Sequence, residues 1–100
     1  MFSCHYRFLD QLLDLQDVLD ETIQASYKWF NLGLALGLSH NDLSALSDKH
    51  RGDCNVCLRE MLARRLQSSQ QLTWEMVCSA LRQTTVDRYD VAEKIEEKYL

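Results

Sequence analysis

Cysteine and histidine residues supply the one pattern in this sequence that could support metal or redox chemistry. Cys54 and Cys57 form a Cys-x-x-Cys pair, and His50 precedes them by about one helical turn. Zinc takes four such ligands in tetrahedral geometry, and a redox pair needs a thiolate. Residues 54 and 57 fall on the apolar side of a predicted helix, where cysteine packs as a small apolar residue. We therefore expect no metal and no cofactor, and keep as the alternative a small helical metal-binding or redox domain that uses Cys54 and Cys57.

Nucleophilic catalysis by a cysteine would need a histidine beside the thiol and donors for an oxyanion. Three histidines are available, but no sequence motif places any of them beside a cysteine. Gly-rich loops that cradle phosphate groups are also missing, since the chain has only 3 Gly residues. We therefore expect no enzymatic activity and no small-molecule substrate.

The elements that would position these residues are predicted to be helices. The chain has 100 residues, of which 46% are hydrophobic, with 3 Gly and no Pro, which argues against a turn-rich β fold. Apolar residues recur at helical spacing, so we predict an all-α bundle over residues 8–100, preceded by an N-terminal tail of residues 1–7. The six predicted helices cover about residues 8–26, 27–38, a short third segment that ends near 49, 54–68, 74–83 and 87–100.

Five residues carry more local predictions. Ser39, Asp53 and Thr73 each stand where the N-cap of a helix is expected. Gly33 lies inside the second predicted helix, where we expect close approach of a neighbouring backbone to compensate for its low helix propensity. Arg65 falls within the apolar arc of the fourth helix. Its stem should lie along the rim of the core, with the guanidinium in water or paired with an acid.

Charge and hydropathy bear on the class of partner. The formal net charge is −4, whereas nucleic-acid-binding domains are usually basic, so we expect no nucleic acid. The longest apolar run, at residues 29–38, is about half the length of a membrane span, so we expect no membrane partner. The first residues lack the pattern of a secretory signal, which favours a cytoplasmic location with reduced thiols.

The charges are unevenly distributed along the chain. Residues 1–50 hold 7 of the 15 acidic residues and only 3 of the 11 basic residues. Acidic residues form a stripe on the first predicted helix, while arginines concentrate around the fourth. Complementary patches of this kind can orient head-to-tail association between like domains.

Five short motifs follow one another over residues 29–95. They read W-x-x-L-G-x-x-L-G-L at 29–38, D-L-x-x-L at 42–46, C-L-x-x-M-L at 57–62, L-T-W-x-x-V-x-x-A-L at 72–81 and V-A-x-x-I at 91–95. In this combination and order, the chain resembles a death domain, and the resemblance covers about residues 10–96. Many members of that family carry a second Trp near the end of the fourth helix, where this chain has Arg65.

The resemblance implies a six-helix antiparallel bundle of Greek-key topology without enzymatic activity. It also implies homotypic assembly with other death-domain proteins, including copies of the chain itself, in apoptotic or innate-immune signal transduction. An adaptor or a receptor tail would have this role. Since the family assembles through charged helix surfaces, the charge layout of this chain selects the predicted contact residues. They are Asp10, Asp14, Asp17 and Glu21 on the first helix, Arg59 and Arg64 on the fourth, and Asp48, Lys49, Arg51 and Asp53 around the third helix and the following turn.

Overall fold

Helices form all the regular secondary structure in the computed structural model of this chain, which describes residues 13–100. The predicted tail at 1–7 and the start of the first predicted helix at residue 8 lie outside the described residues. The helices are α1 (Leu15–Thr22), a 3₁₀ segment (Ile23–Lys28), α2 (Trp29–Ala35), α3 (His40–Lys49), α4 (Cys54–Gln67), α5 (Trp74–Leu81) and α6 (Tyr89–Tyr99).

The prediction of six separate helices is wrong for the described residues, which contain five continuous helical stretches. The first two predicted helices join through the 3₁₀ segment, so that residues 15–35 form one kinked stretch. The Thr22 hydroxyl donates to the carbonyl of Val18 at 2.7 Å, and such bonds one turn back tend to bend helices. Ala25, with φ −101° and ψ 17°, departs from helical geometry just after this bond.

Side-chain caps begin three of the helices at the predicted residues. The Ser39 hydroxyl, the Asp53 carboxylate and the Thr73 hydroxyl each accept a backbone N–H three residues later, at 3.2 Å. Each bond satisfies a backbone donor that has no partner within its own helix. The last helix begins at Tyr89 instead of about 87, because Asp87 has a left-handed φ of 55° and interrupts the helical geometry.

The core lies between the apolar faces of these helices, with α4 packed against α1, the 3₁₀ segment, α2 and α3. Trp29 and Trp74 are both buried, as the helical periodicity predicts. Trp74 stacks on Tyr99 with a distance of 4.0 Å between ring centroids, which joins the start of α5 to the end of α6. The motifs at 29–38 and 72–81 therefore contribute their large aromatic residues to the scaffold.

Gly33 permits close packing, but against side chains and not against the backbone that we expected. A Cβ atom at this position would lie 2.8 Å from Leu43 Cδ2 and 3.0 Å from Met61 Cγ. The reason is that α2 is covered on this side by the buried faces of α3 and α4, whose leucine and methionine side chains fill the space. Glycine is thus required for the fit of three helices.

Arg65 departs most clearly from the sequence-based expectation, because its guanidinium is neither in water nor paired with an acid. The residue is 2% exposed. Its Nε donates to the carbonyl of Leu36 at 2.8 Å, and its Nη1 donates to the Ser68 hydroxyl at 3.1 Å and the Gln70 carbonyl at 2.6 Å. Two backbone carbonyls and one side-chain hydroxyl thus accept from the planar guanidinium, at the end of α2 and in the loop after α4.

Replacing Gly33 by Ala should destabilise the protein by about 1–2 kcal/mol. Overpacking costs about 1–3 kcal/mol, which exceeds the gain of about 1 kcal/mol in helix propensity. Urea unfolding measures the difference. The second substitution Leu43→Val removes the clashing Cδ atoms. The double variant should therefore recover part of the free energy of unfolding that Gly33→Ala loses. An equal or greater stability of Gly33→Ala alone would contradict this packing.

Both Arg65→Met and Arg65→Lys should lower the free energy of unfolding by about 1–3 kcal/mol, since methionine leaves the carbonyls of Leu36 and Gln70 without this donor and lysine leaves at least one of them so. Lysine keeps the charge but lacks the fork of donors that spans two segments. Arg59→Met, at an exposed position of the same helix, is the control and should be nearly neutral. If Arg65→Lys were as stable as the wild type, the hydrogen bonds to Leu36 and Gln70 would not matter for stability.

Candidate functional site

Cys57 and Cys78 are core residues, and Cys54 is partly buried against the core. The Cys57 thiol donates to the carbonyl of Leu46 at 3.7 Å, and burial raises its pKa, with Cys54 and Asp53 adding to the effect. A raised pKa disfavours the thiolate that zinc binding and redox exchange both require. The Nε2 atom of His50 lies 4.0 Å from the carboxylate of Glu60. Within residues 13–100, no three His, Cys, Asp or Glu side chains are grouped so that they could hold a metal ion.

The acidic residues predicted on the first helix have different surroundings in the structure. Asp14 occupies the N-cap position of α1 without a side-chain capping bond, and both it and Asp17 are exposed. Glu21 is mostly covered, and its carboxylate accepts hydrogen bonds from Lys98 at 2.7 Å and from Tyr99 at 3.2 Å. The predicted acidic stripe is therefore divided, with Glu21 neutralised within the chain. Asp10 lies outside the described residues.

The end of α3 and the turn that joins it to α4 carry four of the predicted contact residues. Asp48, Lys49 and Arg51 are exposed, and Arg51 has a left-handed φ of 54°. Gly52 follows with a φ of 75°, so the backbone turns sharply before α4. The Asp53 side chain caps α4, which commits its carboxylate to a structural bond. Lys49 and Arg51 are thus the basic residues that this turn presents to solvent.

Arg59 and Arg64 do not form a single basic patch. They are five residues apart on α4, which separates them by about 140° around the helix axis. Both are exposed, but Arg64 Nη1 lies 3.9 Å from a carboxylate oxygen of Asp42 at the start of α3. For Lys49, Arg51 and Arg59, no ion pair with another residue of the described range is formed. These three bases define what we call the basic surface.

The exposed acids at the start of α1 and the basic turn lie towards opposite ends of α4. Leu13, just before Asp14, lines the same surface groove as Leu66 near the C-terminus of α4. Lys49 and Arg51 precede the N-terminus of the same helix. Because α4 has 14 residues, the two ends are about 20 Å apart. At this distance the opposite charges are largely screened from each other at physiological ionic strength.

Three ion pairs in the structure had not been predicted from the sequence. Arg82 forms a double hydrogen bond with Glu96 at 2.8 and 2.6 Å, and Arg88 forms one with Asp90 at 2.9 and 2.9 Å. The third pair is that of Glu21 with Lys98. Only Arg88 and Asp90 are close in sequence, so no local signal could have identified the others. These pairs neutralise three of the eight bases in residues 51–100 within the molecule.

Comparison of the chain with protein-family models, with curated proteins and with solved structures gives no match. None of the helices between residues 13 and 100 is long and apolar enough to cross a membrane.

The ion pairs of α6 should make the protein less stable in acid. Hydrogen bonding to Arg88 lowers the pKa of Asp90 from 3.8 to about 2, and Arg82 lowers the pKa of Glu96. A depressed native pKa stabilises the fold above the unfolded-state pKa, and this contribution is lost as pH falls through the native value. The stability difference between the wild type and the double variant Asp90→Asn, Glu96→Gln should thus shrink between pH 5 and about pH 2.

Urea unfolding at several pH values checks this prediction. The control is Glu97→Gln, an exposed position of the same helix, which should keep the pH profile of the wild type. A constant stability difference between the wild type and the double variant over the whole range would contradict the assigned pairs.

Proposed function

We propose that this chain is a protein–protein interaction module of the death-domain type. In this proposal it assembles with other death domains, including copies of itself, in apoptotic or innate-immune signal transduction, as an adaptor or a receptor tail in the cytoplasm. We further propose that the helices form an antiparallel bundle of Greek-key topology, as the resemblance to that family implies. The proposal rests on the resemblance of the five motifs and on the arrangement of surface charge.

The interior of the protein supports a scaffolding role. The large residues of the motifs, such as Trp29, Leu32 and Trp74, are buried in the core. The thiols of Cys57 and Cys78 donate to backbone carbonyls and have raised pKa values, for which burial is the main cause. These two thiols are thus used for packing, which supports a function carried by the surface.

One observation carries the proposal: exposed acids and exposed bases that form no ion pair within residues 13–100 lie towards opposite ends of α4. Asp14 and Asp17 are at one end, and the basic surface formed by Lys49, Arg51 and Arg59 begins at the other. Opposite charges that cannot neutralise each other within one copy can do so between copies placed head to tail. Charge of this kind determines orientation and association rate more than affinity.

A mechanism follows from the small size of each charged surface. A contact between two such helical surfaces falls at the low end of interface sizes, so a single contact is weak. Several weak contacts within one oligomer add avidity, so that assembly depends steeply on local concentration. Assembly would then bring together the proteins or domains attached to each copy, and this clustering would transmit the signal.

Arg59→Glu should weaken association at least about tenfold, since it reverses a charge in the basic surface. Lys94→Glu changes the net charge by the same amount at an exposed position of α6, and is the matched control. Binding is measured by surface plasmon resonance to immobilised wild-type chain and to immobilised death domains of signalling adaptors, at low and moderate salt. Far-UV circular dichroism verifies that both variants stay folded.

The proposal requires that wild-type binding weakens as salt is raised and that Lys94→Glu binds like the wild type. Equal binding of Arg59→Glu and the wild type would contradict the assigned surface. A wild-type chain that binds neither itself nor any death domain would contradict the proposed function.

A further inference from the structure

Two cysteines share the first turn of α4, and the proposed function uses neither of them. Cys54 is the first residue of the helix, directly after the Asp53 cap, and Cys57 follows three residues later. Both are free thiols in this structure. Their surroundings differ, since Cys54 is partly exposed to solvent while Cys57 is 0% exposed. A reagent from solvent therefore meets Cys54 first.

The spacing of this pair suits a disulfide bond. In an α-helix, Cα atoms three residues apart are separated by about 5 Å. Disulfide bonds span Cα separations of about 4.4–6.8 Å. The Cβ atoms of such a pair are about 5–6 Å apart, so bond formation requires the first turn of α4 to tighten by about 1–2 Å. Helix ends fray and accept such a change more readily than the middle of a helix.

The charge interaction between the two thiols agrees with their proximity. Burial raises the pKa of the Cys57 thiol most, and negative charge at Cys54 and Asp53 adds to the rise. A raised pKa keeps Cys57 from acting as the first nucleophile. It does not prevent Cys57 from attacking a sulfur that is already oxidised, because the leaving hydroxide takes up the thiol proton. The pair therefore divides into an accessible attacking thiol and a buried resolving thiol.

Cys78 provides a comparison within the same chain. It lies on α5, is 2% exposed, and its thiol donates to the carbonyl of Ala92 at 3.6 Å. Burial is the main cause of its raised pKa as well. No other cysteine lies within four residues of it in the sequence. Cys78 thus shares the burial of Cys57 without an accessible cysteine in the same helical turn.

We propose that Cys54 and Cys57 are a redox-sensitive modification site, at which a peroxide forms a reversible intramolecular disulfide. The Cys54 thiolate attacks one oxygen of hydrogen peroxide and the O–O bond breaks. The other oxygen leaves as hydroxide, which takes up the proton that Cys54 released. The Cys57 sulfur then attacks the sulfur of the Cys54 sulfenic acid, the S–O bond breaks, and hydroxide leaves with the Cys57 proton as water.

The electrons of this sequence balance. Two thiols lose two electrons and two protons, which reduce one hydrogen peroxide to two water molecules. A small dithiol restores the reduced pair by thiol–disulfide exchange.

The disulfide would change a contact between α3 and α4. In the reduced state, the Cys57 thiol donates to the carbonyl of Leu46 at 3.7 Å. A disulfide sulfur has no proton to donate, so this bond is lost. The Leu46 carbonyl keeps its bond from the His50 N–H at 3.0 Å, so we expect the change to stay local to residues 46–57. This inference goes beyond the proposed function, because the disulfide forms whether or not the surface binds a partner.

Peptide mapping of the oxidised full chain tests the proposal. Trypsin cleaves after Arg51 and Arg59, so both cysteines fall in the peptide 52–59. The chain is treated with hydrogen peroxide, and the remaining thiols are then alkylated in denaturant. The peptide 52–59 should have lost two hydrogen atoms and carry no alkyl group, and dithiothreitol should restore two thiols that can be alkylated. Cys78 should stay open to alkylation throughout.

Substitutions separate the roles of the two thiols. Cys57→Ala should accumulate a sulfenic acid at Cys54, which dimedone labels, because the resolving thiol is missing. In Cys54→Ser, loss of the Cys57 thiol should be slower at least about tenfold, because burial keeps peroxide from it. Cys78→Ala removes an equally buried thiol, and is the matched control that should form the disulfide like the wild type. Unfolding curves verify that all three variants are folded.

Several results would overturn the proposal. A wild-type peptide 52–59 that keeps both thiols, or that carries sulfinic acid at Cys54 beside an alkylated Cys57, would do so. A disulfide from Cys54 to another cysteine as the main product would also do so, as would equally fast loss of the Cys57 thiol in Cys54→Ser. The assay involves no partner, so its failure leaves the proposed function in place, and loss of partner binding leaves the disulfide in place.

Discussion

The hydrogen bonds of the buried Arg65 guanidinium are the interaction that joins the two halves of this fold. It holds the end of α2 and the loop after α4 through the carbonyls of Leu36 and Gln70. An unpaired buried charge is costly, and hydrogen bonds to backbone acceptors reduce that cost. Its Nη2 atom is buried without a hydrogen-bond partner among residues 13–100. Together with the packing of Gly33 against Met61, this side chain fixes how α2 and α4 meet.

Local features of the fold could be predicted from the sequence, while contacts between distant segments could not. The caps at Asp53 and Thr73 follow from residue type and spacing, and the burial of Trp74 follows from helical periodicity. The pair of Glu21 with Lys98 joins residues 77 positions apart, for which a periodic pattern contains no information. The prediction that the Arg65 guanidinium lies in water or beside an acid was wrong for a related reason. A helical wheel shows that Arg65 faces the core, but it does not show which carbonyls the side chain contacts there.

The same distinction applies to the candidate site. The sequence separates an acidic first helix from a more basic region, and the structure reduces this contrast, because Glu21 is neutralised by Lys98 and Arg64 lies near Asp42. Of the predicted contact residues, a smaller set towards the two ends of α4 stays exposed and unpaired within residues 13–100. The outer side of α2 carries no charge. Such a surface suits association with like copies more than recognition of a strongly charged polymer. Its strength would come from the number of contacts and not from any single one.

The most direct test of the account is to map the surface on which copies of the chain meet. Amide resonances of a nitrogen-labelled sample would be followed by NMR as unlabelled chain is added at low salt. The account predicts that the resonances that shift cluster at the exposed acids of α1, at Lys49 and Arg51, and around Arg59, while those of the core stay in place. Shifts spread through the interior, or shifts confined to residues around Cys54 and Cys57, would contradict it.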